Sequence, residues 1–290
     1  LPPERIALHE ADLTDGRGMA DILRRVAPTR LFHLAAESRV ARSFADPAAV
    51  LATQPPAAAT LIRGIVDARL AGDCRLFLAS SSEIFDPDAP GPWDETTPLG
   101  PVSPYGAAKA ATHLLAKVAR DGYGIFAVSG VLFNHESPRR DEGFVSAKIV
   151  QAARRLANGN GPPLPLGALD AARDWGWAPQ FVEGMIASLD AERPGDYVFA
   201  TGETRTIRQF ATAAFAAAGR GIRWEGTGLG ETGVCAATGA LLVVVDPALV
   251  RPVDRPTRPG DPFRAARRLG WRPTVRFDEL VARLVRGEGR

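Results

Sequence analysis

Ser80, Ser81, Ser82 and Glu83 close an apolar run, and Tyr105 and Lys109 open a helical one farther along. A Tyr and a Lys four residues apart lie on one face of a helix, one turn from each other. An ammonium beside a phenol stabilises the phenolate, so the phenol's pKa falls towards neutrality and the group can act as a base. Cys74 to Ala79 reads as a buried strand, which sets Ser81 and Glu83 at its carboxyl end, where open parallel sheets receive their ligands. A hydroxyl, a carboxylate, a phenol and an amine then converge on one small molecule. Taken singly, the Tyr-x-x-x-Lys spacing recurs by chance and the serine run is equally a helix cap. The order of strand, Ser/Glu, Pro-rich loop and Tyr-x-x-x-Lys helix is what carries information.

The elements that must hold these groups follow from hydrophobic periodicity. Arg5 to Glu10 reads as a short strand ending at Asp12, Met19 to Val26 as a helix, and Arg30 to Ala36 as a second strand. Pro47 to Leu70 is a long Ala-rich helical segment in which Pro55-Pro56 is expected to kink or break the helix. Strands follow at Ile125 to Phe133 and Tyr197 to Gly202, with helices over Phe144 to Leu156, Ile207 to Ala218, Arg264 to Leu269 and Phe277 to Val285. Alternation at this interval predicts an α/β fold built on a doubly wound parallel sheet. From Gly221 the texture shifts to loops, short strands and Pro-rich turns. The expected division is a dinucleotide-binding domain over 1–165, with elements around 181–220 returning to it, and a smaller substrate-binding lobe mainly over 166–290.

Composition removes several other classes. The 290 residues carry a net charge of +2, so nothing points to a polyanion such as nucleic acid. No apolar run approaches the roughly 20 residues that span a bilayer. The 2 cysteines, Cys74 and Cys235, and the 4 histidines lack metal-ligand spacing, and no bound metal is expected. Hydrophobic content of 46% and charged content of 23% suit a soluble protein of the reducing cytoplasm.

The strand, Ser/Glu and Tyr-x-x-x-Lys order resembles the extended short-chain dehydrogenase/reductase family of nucleotide-sugar enzymes, in which a Glu at position 83 is the mark of dehydratases. The nine-residue run Leu132-Phe133-Asn134-His135-Glu136-Ser137-Pro138-Arg139-Arg140 narrows this, being similar to the signature of the GDP-mannose 4,6-dehydratase family. Segments from Asp12 to Trp271 agree in one order, among them His33-Leu34-Ala35-Ala36-Glu37-Ser38 and Arg173-Asp174-Trp175-Gly176. The resemblance implies a redox-neutral lyase that holds NADP and acts on GDP-mannose, with Tyr105, Lys109, Glu83 and Ser81 as the catalytic groups. It further implies that Asp12, Leu13, Leu34, Ala35, Ala36, Ser38, His135 and Arg140 contact the cofactor, together with Tyr105 and Lys109. Asn134, Lys148, Arg173, Arg251 and Asp254 match positions that grip the GDP part, and self-association into a dimer or tetramer is implied as well.

Departures from the family pattern keep two other readings open. The family opens with a strand, a GxxGxxG loop and a helix that cradle the pyrophosphate, and no such motif occurs in these residues. The chain, which starts at Leu1, is therefore expected to lack that opening unit. Asp254 stands where Glu is usual, Glu37 where Gln is common, and Val50 where the family often has an aromatic. A related epimerase or reductase is the alternative within the class. A non-catalytic remnant that binds GDP-sugars or pairs with a full-length subunit is the alternative outside it.

Overall fold

The computed structural model describes residues 5–159, 161–250 and 257–289. In chain order the first elements are α1 (Gly16–Val26), β1 (Arg30–His33), α2 (Val40–Ala45), α3 (Pro47–Asp67), β2 (Arg75–Ser81), α4 (Pro104–Tyr123), β3 (Phe126–Leu132) and β4 (Asn134–Glu136). Then come α5 (Val145–Ala157), β5 (Leu164–Leu166), β6 (Ala172–Arg173), β7 (Trp175–Trp177), α6 (Ala178–Asp190), β8 (Asp196–Phe199), β9 (Arg205–Thr206) and α7 (Ile207–Ala217). β10 (Ile222–Glu225), β11 (Thr232–Cys235), β12 (Leu241–Val245), α8 (Phe263–Leu269) and α9 (Phe277–Arg286) complete the chain. The protein is α/β, with one sheet in the order β1-β2-β3-β8 and another in the order β10-β11-β12-β5.

Contacts divide the chain into two units. The first comprises 1–84, 103–131 and 187–197; the second comprises 85–102, 132–186 and 198–290. In the first, β1 and β2 are parallel with Arg30 opposite Arg75 and His33 opposite Leu78. Parallel pairing brings both carboxyl ends to the same edge, so the Leu34–Ser38 loop and Ser81 leave the sheet on one side. Leu76, Leu78, Ala127 and Ile125 pack with Leu23, Ile62, Ile65 and Ala116 into the core beneath. Gly130 on β3 is required there, because a Cβ would stand 2.2 Å from the Phe77 ring. The second unit has its own core, in which Phe210, Phe215, Trp175, Ile149, Val243 and Leu280 gather α5, α7 and α9 against β12.

The catalytic-helix candidate has its ends specified locally. Ser103 accepts the Gly106 N–H at 3.0 Å as N-cap, Pro104 fills the first turn, and Gly124 ends α4 at φ 66°. A side-chain acceptor satisfies one of the orphan first-turn donors, and glycine takes the left-handed conformation without a Cβ penalty.

Three expectations are corrected here. Arg5 to Glu10 forms no ladder among the described residues, and Ile6 and Leu8 are 49% and 91% exposed. Their alternation is that of a strand, but a strand exists only with a partner to take its hydrogen bonds. The second strand also stops at His33, before Ala36. Pro55-Pro56 does not break the helix, since α3 runs through both. The carbonyls deprived of donors belong to Leu51 and Ala52, four residues back, and both residues are exposed to water that can replace the missing N–H groups.

His33, at the end of β1, is buried, and burial together with the charge of Lys109 pushes its imidazole down to about 4. Its unfolded value is 6.5. The unfolded chain therefore binds the proton first as pH falls. Stability is constant above pH ~6.5 and lost progressively towards pH ~4, by roughly 3 kcal/mol in total from this group. Denaturant unfolding of wild type and His33→Gln at neutral pH and near pH 4.5 should show a shallower acid loss in the variant; equal slopes would contradict this.

Candidate active site

Four of the residues singled out for chemistry lie in the first unit. Ser81 is the last residue of β2, Glu83 sits in the single 3-10 turn Ser82–Ile84 that follows, and α4 packs on both. Tyr105 and Lys109 lie one turn apart on α4 and are buried. The Lys109 ammonium donates to the Ala79 carbonyl at 2.9 Å and stands 5.8 Å from the centre of the Tyr105 ring. Ser80 Oγ donates in return to the carbonyl of Lys109 at 3.3 Å, so strand end and helix are clasped reciprocally. Ser81 Oγ accepts the Glu83 N–H at 3.3 Å, which shapes the turn. Burial pulls the Lys109 ammonium down to about 8. It stays mainly protonated at neutral pH but is poised closer to neutrality than a surface lysine.

The cofactor residues named from sequence divide between the units. Asp12, Leu13, Leu34, Ala35, Ala36 and Ser38 are in the first. Asp12 is exposed and accepts from the Thr14 N–H at 2.8 Å and the Thr14 hydroxyl at 2.7 Å, bonds that hold its carboxyl below the usual range. Leu34, Ala35 and Ala36 are exposed on the loop beyond β1. His135 and Arg140 are in the second unit. His135 stacks on Phe181 at 5.1 Å, and its Nδ1 lies 2.8 Å from the Phe133 carbonyl, so Nδ1 carries the proton. Burial lowers this imidazole to about 4, with Arg140 adding to the effect. Arg140 lies 3.6 Å above the Phe144 ring, and its Nε is 3.3 Å from the Glu136 carboxylate.

The substrate residues named from sequence lie in the second unit where described. Asn134 opens β4, paired with Trp175 of β7. Lys148 is exposed on α5, and Arg173 on β6 is half-buried, its guanidinium donating to the Ala172 carbonyl at 2.7 Å. Arg251 and Asp254 lie outside the described residues. Among the described residues no group of three or more His, Cys, Asp or Glu is arranged to hold a metal ion, and no helix is long and apolar enough to cross a membrane.

Sequence reasoning passed over two buried carboxylates that set this geometry. Glu136 is buried, accepts from Ser146 Oγ at 2.7 Å and faces Arg140; burial pushes its carboxyl up against that cation. Asp174 is fully buried. Its Oδ1 accepts from the Thr201 N–H at 2.8 Å and the Thr201 hydroxyl at 2.6 Å. Its Oδ2 accepts from the N–H groups of Gly202 at 3.0 Å and Gly260 at 3.3 Å. Both residues stand inside the motif runs, each close in sequence to an arginine, Arg140 and Arg173.

A parallel α/β sheet with Ser and Glu at a strand's carboxyl end, clasped to a Tyr-x-x-x-Lys helix, defines the Rossmann-type class of extended short-chain dehydrogenases/reductases. Solved structures agree. A UDP-glucose 4-epimerase from Thermus thermophilus, in complex with NAD, superposes with a TM-score of 0.80 at 26% identity, covering 98% of this chain and 85% of that one. A dTDP-glucose 4,6-dehydratase double mutant from Streptomyces venezuelae, with NAD bound, gives 0.80 at 25% identity over 100% and 82%. The family description "GDP-mannose 4,6 dehydratase" matches residues 2–284. The GDP-mannose 4,6-dehydratase of Sinorhizobium fredii is 39% identical over 285 residues, 98% of this chain and 81% of that protein. The human GDP-mannose 4,6 dehydratase is 38% identical over 281 residues, 97% and 76% respectively. The chain belongs to the GDP-mannose 4,6-dehydratase family.

Replacing Asp174 by Asn turns one acceptor oxygen into an NH2 group that faces backbone donors. Asp174→Asn is expected to lower unfolding free energy by about 3 kcal/mol, in line with breaking buried charge-assisted bonds. Chemical denaturation checks this, and a change within about 0.5 kcal/mol, the level of an indifferent surface substitution, would refute it.

Proposed function

We propose that this chain is a GDP-mannose 4,6-dehydratase acting in the cytoplasm, converting GDP-mannose to GDP-4-keto-6-deoxymannose and water with NADP held at the first unit. The observation that carries the proposal is the clasp of β2 and α4, which gathers Ser81, Glu83, Tyr105 and Lys109 in a chain of this family. The residues fit such a dinucleotide. Among the described residues Lys109 spends one of its three protons on the Ala79 carbonyl, so the others suit ribose hydroxyls. The Leu34–Ser38 loop, small at Ala35 and Ala36, leaves β1 on the same edge as Ser81 and suits the close approach of a flat ring system. A bound nicotinamide would supply a reversible hydride acceptor for the sugar.

Tyr105 removes the proton of the 4-hydroxyl, the neighbouring ammonium of Lys109 favouring the phenolate. Ser81 donates a hydrogen bond to the 4-oxygen. A carbonyl at C4 acidifies C5, Glu83 takes the C5 proton and delivers it to the departing 6-hydroxyl, and water leaves; hydride return to C6 with a proton to C5, which the proton held by Tyr105 balances, leaves no net redox change. Glu83 is half-exposed, as a group that must meet substrate requires. Asp12, Leu13 and Ser38, with His135 and Arg140, are assigned to the cofactor. Asn134, Lys148, Arg173, Arg251 and Asp254 are assigned to the GDP moiety, where guanidinium groups make bidentate contacts with phosphate. The substrate-binding lobe is assigned mainly to 166–290. Leu114 and Val118, one turn apart on α4 and 51% and 48% exposed, support self-association.

Incubating the purified chain with GDP-mannose and NADP should yield a product lighter by one water, with no accumulation of NADPH. Glu83→Gln should lower that rate by roughly 10²–10⁴-fold, the usual worth of a general acid–base group, with an unchanged unfolding midpoint. Dehydration at the wild-type rate by the variant would remove Glu83 from the mechanism. Absence of turnover by well-folded wild type would favour the non-catalytic GDP-sugar-binding reading.

A further inference from the structure

Gln54 lies in the middle of α3 and is buried. Its Nε2 donates to the Glu37 carbonyl at 2.8 Å. That contact fixes which end of the amide is which, because the flipped side chain would set two acceptors against each other. Oε1 is therefore turned away from the carbonyl, and it is buried without a hydrogen-bond partner among the described residues. Unpaired buried acceptors are destabilising and rare in folded proteins.

The surrounding chain offers little to satisfy it. Pro55 and Pro56, next along the helix, have no backbone N–H, and Ala57 and Ala58 have no side-chain donor. The Thr53 hydroxyl is directed at the Ala49 carbonyl at 2.8 Å and the Val50 carbonyl at 3.3 Å. Meanwhile the loop that Gln54 touches is held in place from its other side. The Glu37 carboxylate accepts the Arg39 N–H at 2.9 Å and faces Arg42 at 3.5 Å. Gln54 thus presents a fixed acceptor beside a pinned loop, and that loop is the Leu34–Ser38 segment assigned above to the cofactor.

We propose that Gln54 is a cofactor-binding residue, its Oε1 accepting a hydrogen bond from a hydroxyl of the nicotinamide dinucleotide while its Nε2 holds the loop. The inference rests on the NADP reading of the first unit and adds a residue that the family motifs did not bring forward. Both halves of one amide are used, one for the protein and one for the ligand.

The test is titration of the intact protein with NADP by calorimetry, alongside thermal unfolding with and without NADP. Gln54→Met keeps length and removes the acceptor. It is expected to weaken NADP binding about 5- to 10-fold, the worth of one net hydrogen bond, and to shrink the NADP-induced rise in unfolding temperature. Unfolding of the ligand-free protein should change little, since the variant also relieves an unpaired buried oxygen. Gln54→Glu serves as a second variant: in its protonated form it both donates to Glu37 and accepts, so its NADP affinity should approach wild type as the pH is lowered. Unchanged affinity in Gln54→Met, with a lower unfolding temperature of the free protein, would make Gln54 merely structural and overturn the inference alone. Wild type that fails to bind NADP would overturn the cofactor reading and this inference together.

Discussion

The buried ammonium of Lys109 is the constraint on which the first unit depends. A charge taken out of water is costly unless it is given partners, and here the strand supplies one through the Ala79 carbonyl. Ser80 then closes the clasp by bonding to the carbonyl of Lys109 itself. Two hydrogen bonds in opposite senses between the same strand end and the same helix turn fix both translation and rotation of α4 against β2. Tyr105, one helical turn earlier, and Ser81 and Glu83, just beyond the strand, are positioned as a consequence. The chemistry proposed for this site depends on that register more than on any single contact made by the reacting groups.

Much of this arrangement was legible in the residues. An apolar run into a serine cluster, a Ser-Pro helix start and a Gly helix end each carry a local physical signal, and β2 and α4 appear where those signals lie. Signals that depend on partners were misleading. Ile6 and Leu8 alternate like strand residues, yet a ladder needs a second chain segment, and periodicity cannot report one. Pro55-Pro56 reads as a break because each proline deletes a helical hydrogen bond. The α3 helix persists because its packing on α1 and α4 holds it, while the residues bearing the deprived carbonyls, Leu51 and Ala52, are exposed. Propensity is a local argument, and at this helix tertiary contact outweighs it.

The second unit shows the same limit for side chains. Arg173 and Arg140 drew attention as cations suited to phosphate, whereas the neighbouring acids, Asp174 and Glu136, were read only as parts of a motif. The structure shows those acids to be the buried members, with Asp174 taking four donors from the Thr201–Gly202 turn and Gly260. Nothing in a sequence states which residue of an Arg-Asp pair points inward, since that is decided by where orphan backbone N–H groups collect in the folded chain.

Burial also separates the carboxylates by what they can do. Asp174 is surrounded by donors, so a proton added to it would set O–H against N–H groups and forfeit their bonds. Glu136 is similarly committed to Ser146 and Arg140. Their bonds hold the shape of the chain, while burial pushes both carboxyls up. Glu83 is different: it is half-exposed on a short turn, shaped by its own backbone N–H on Ser81 rather than by bonds to its carboxylate. The role proposed for Glu83, taking a proton from carbon and handing one to a leaving hydroxyl, calls for a group that is stable in both states, and freedom from fixed donors suits that. Among the described carboxylates of the matching motifs, the one left uncommitted by the fold is the one at the strand end beside Tyr105's helix.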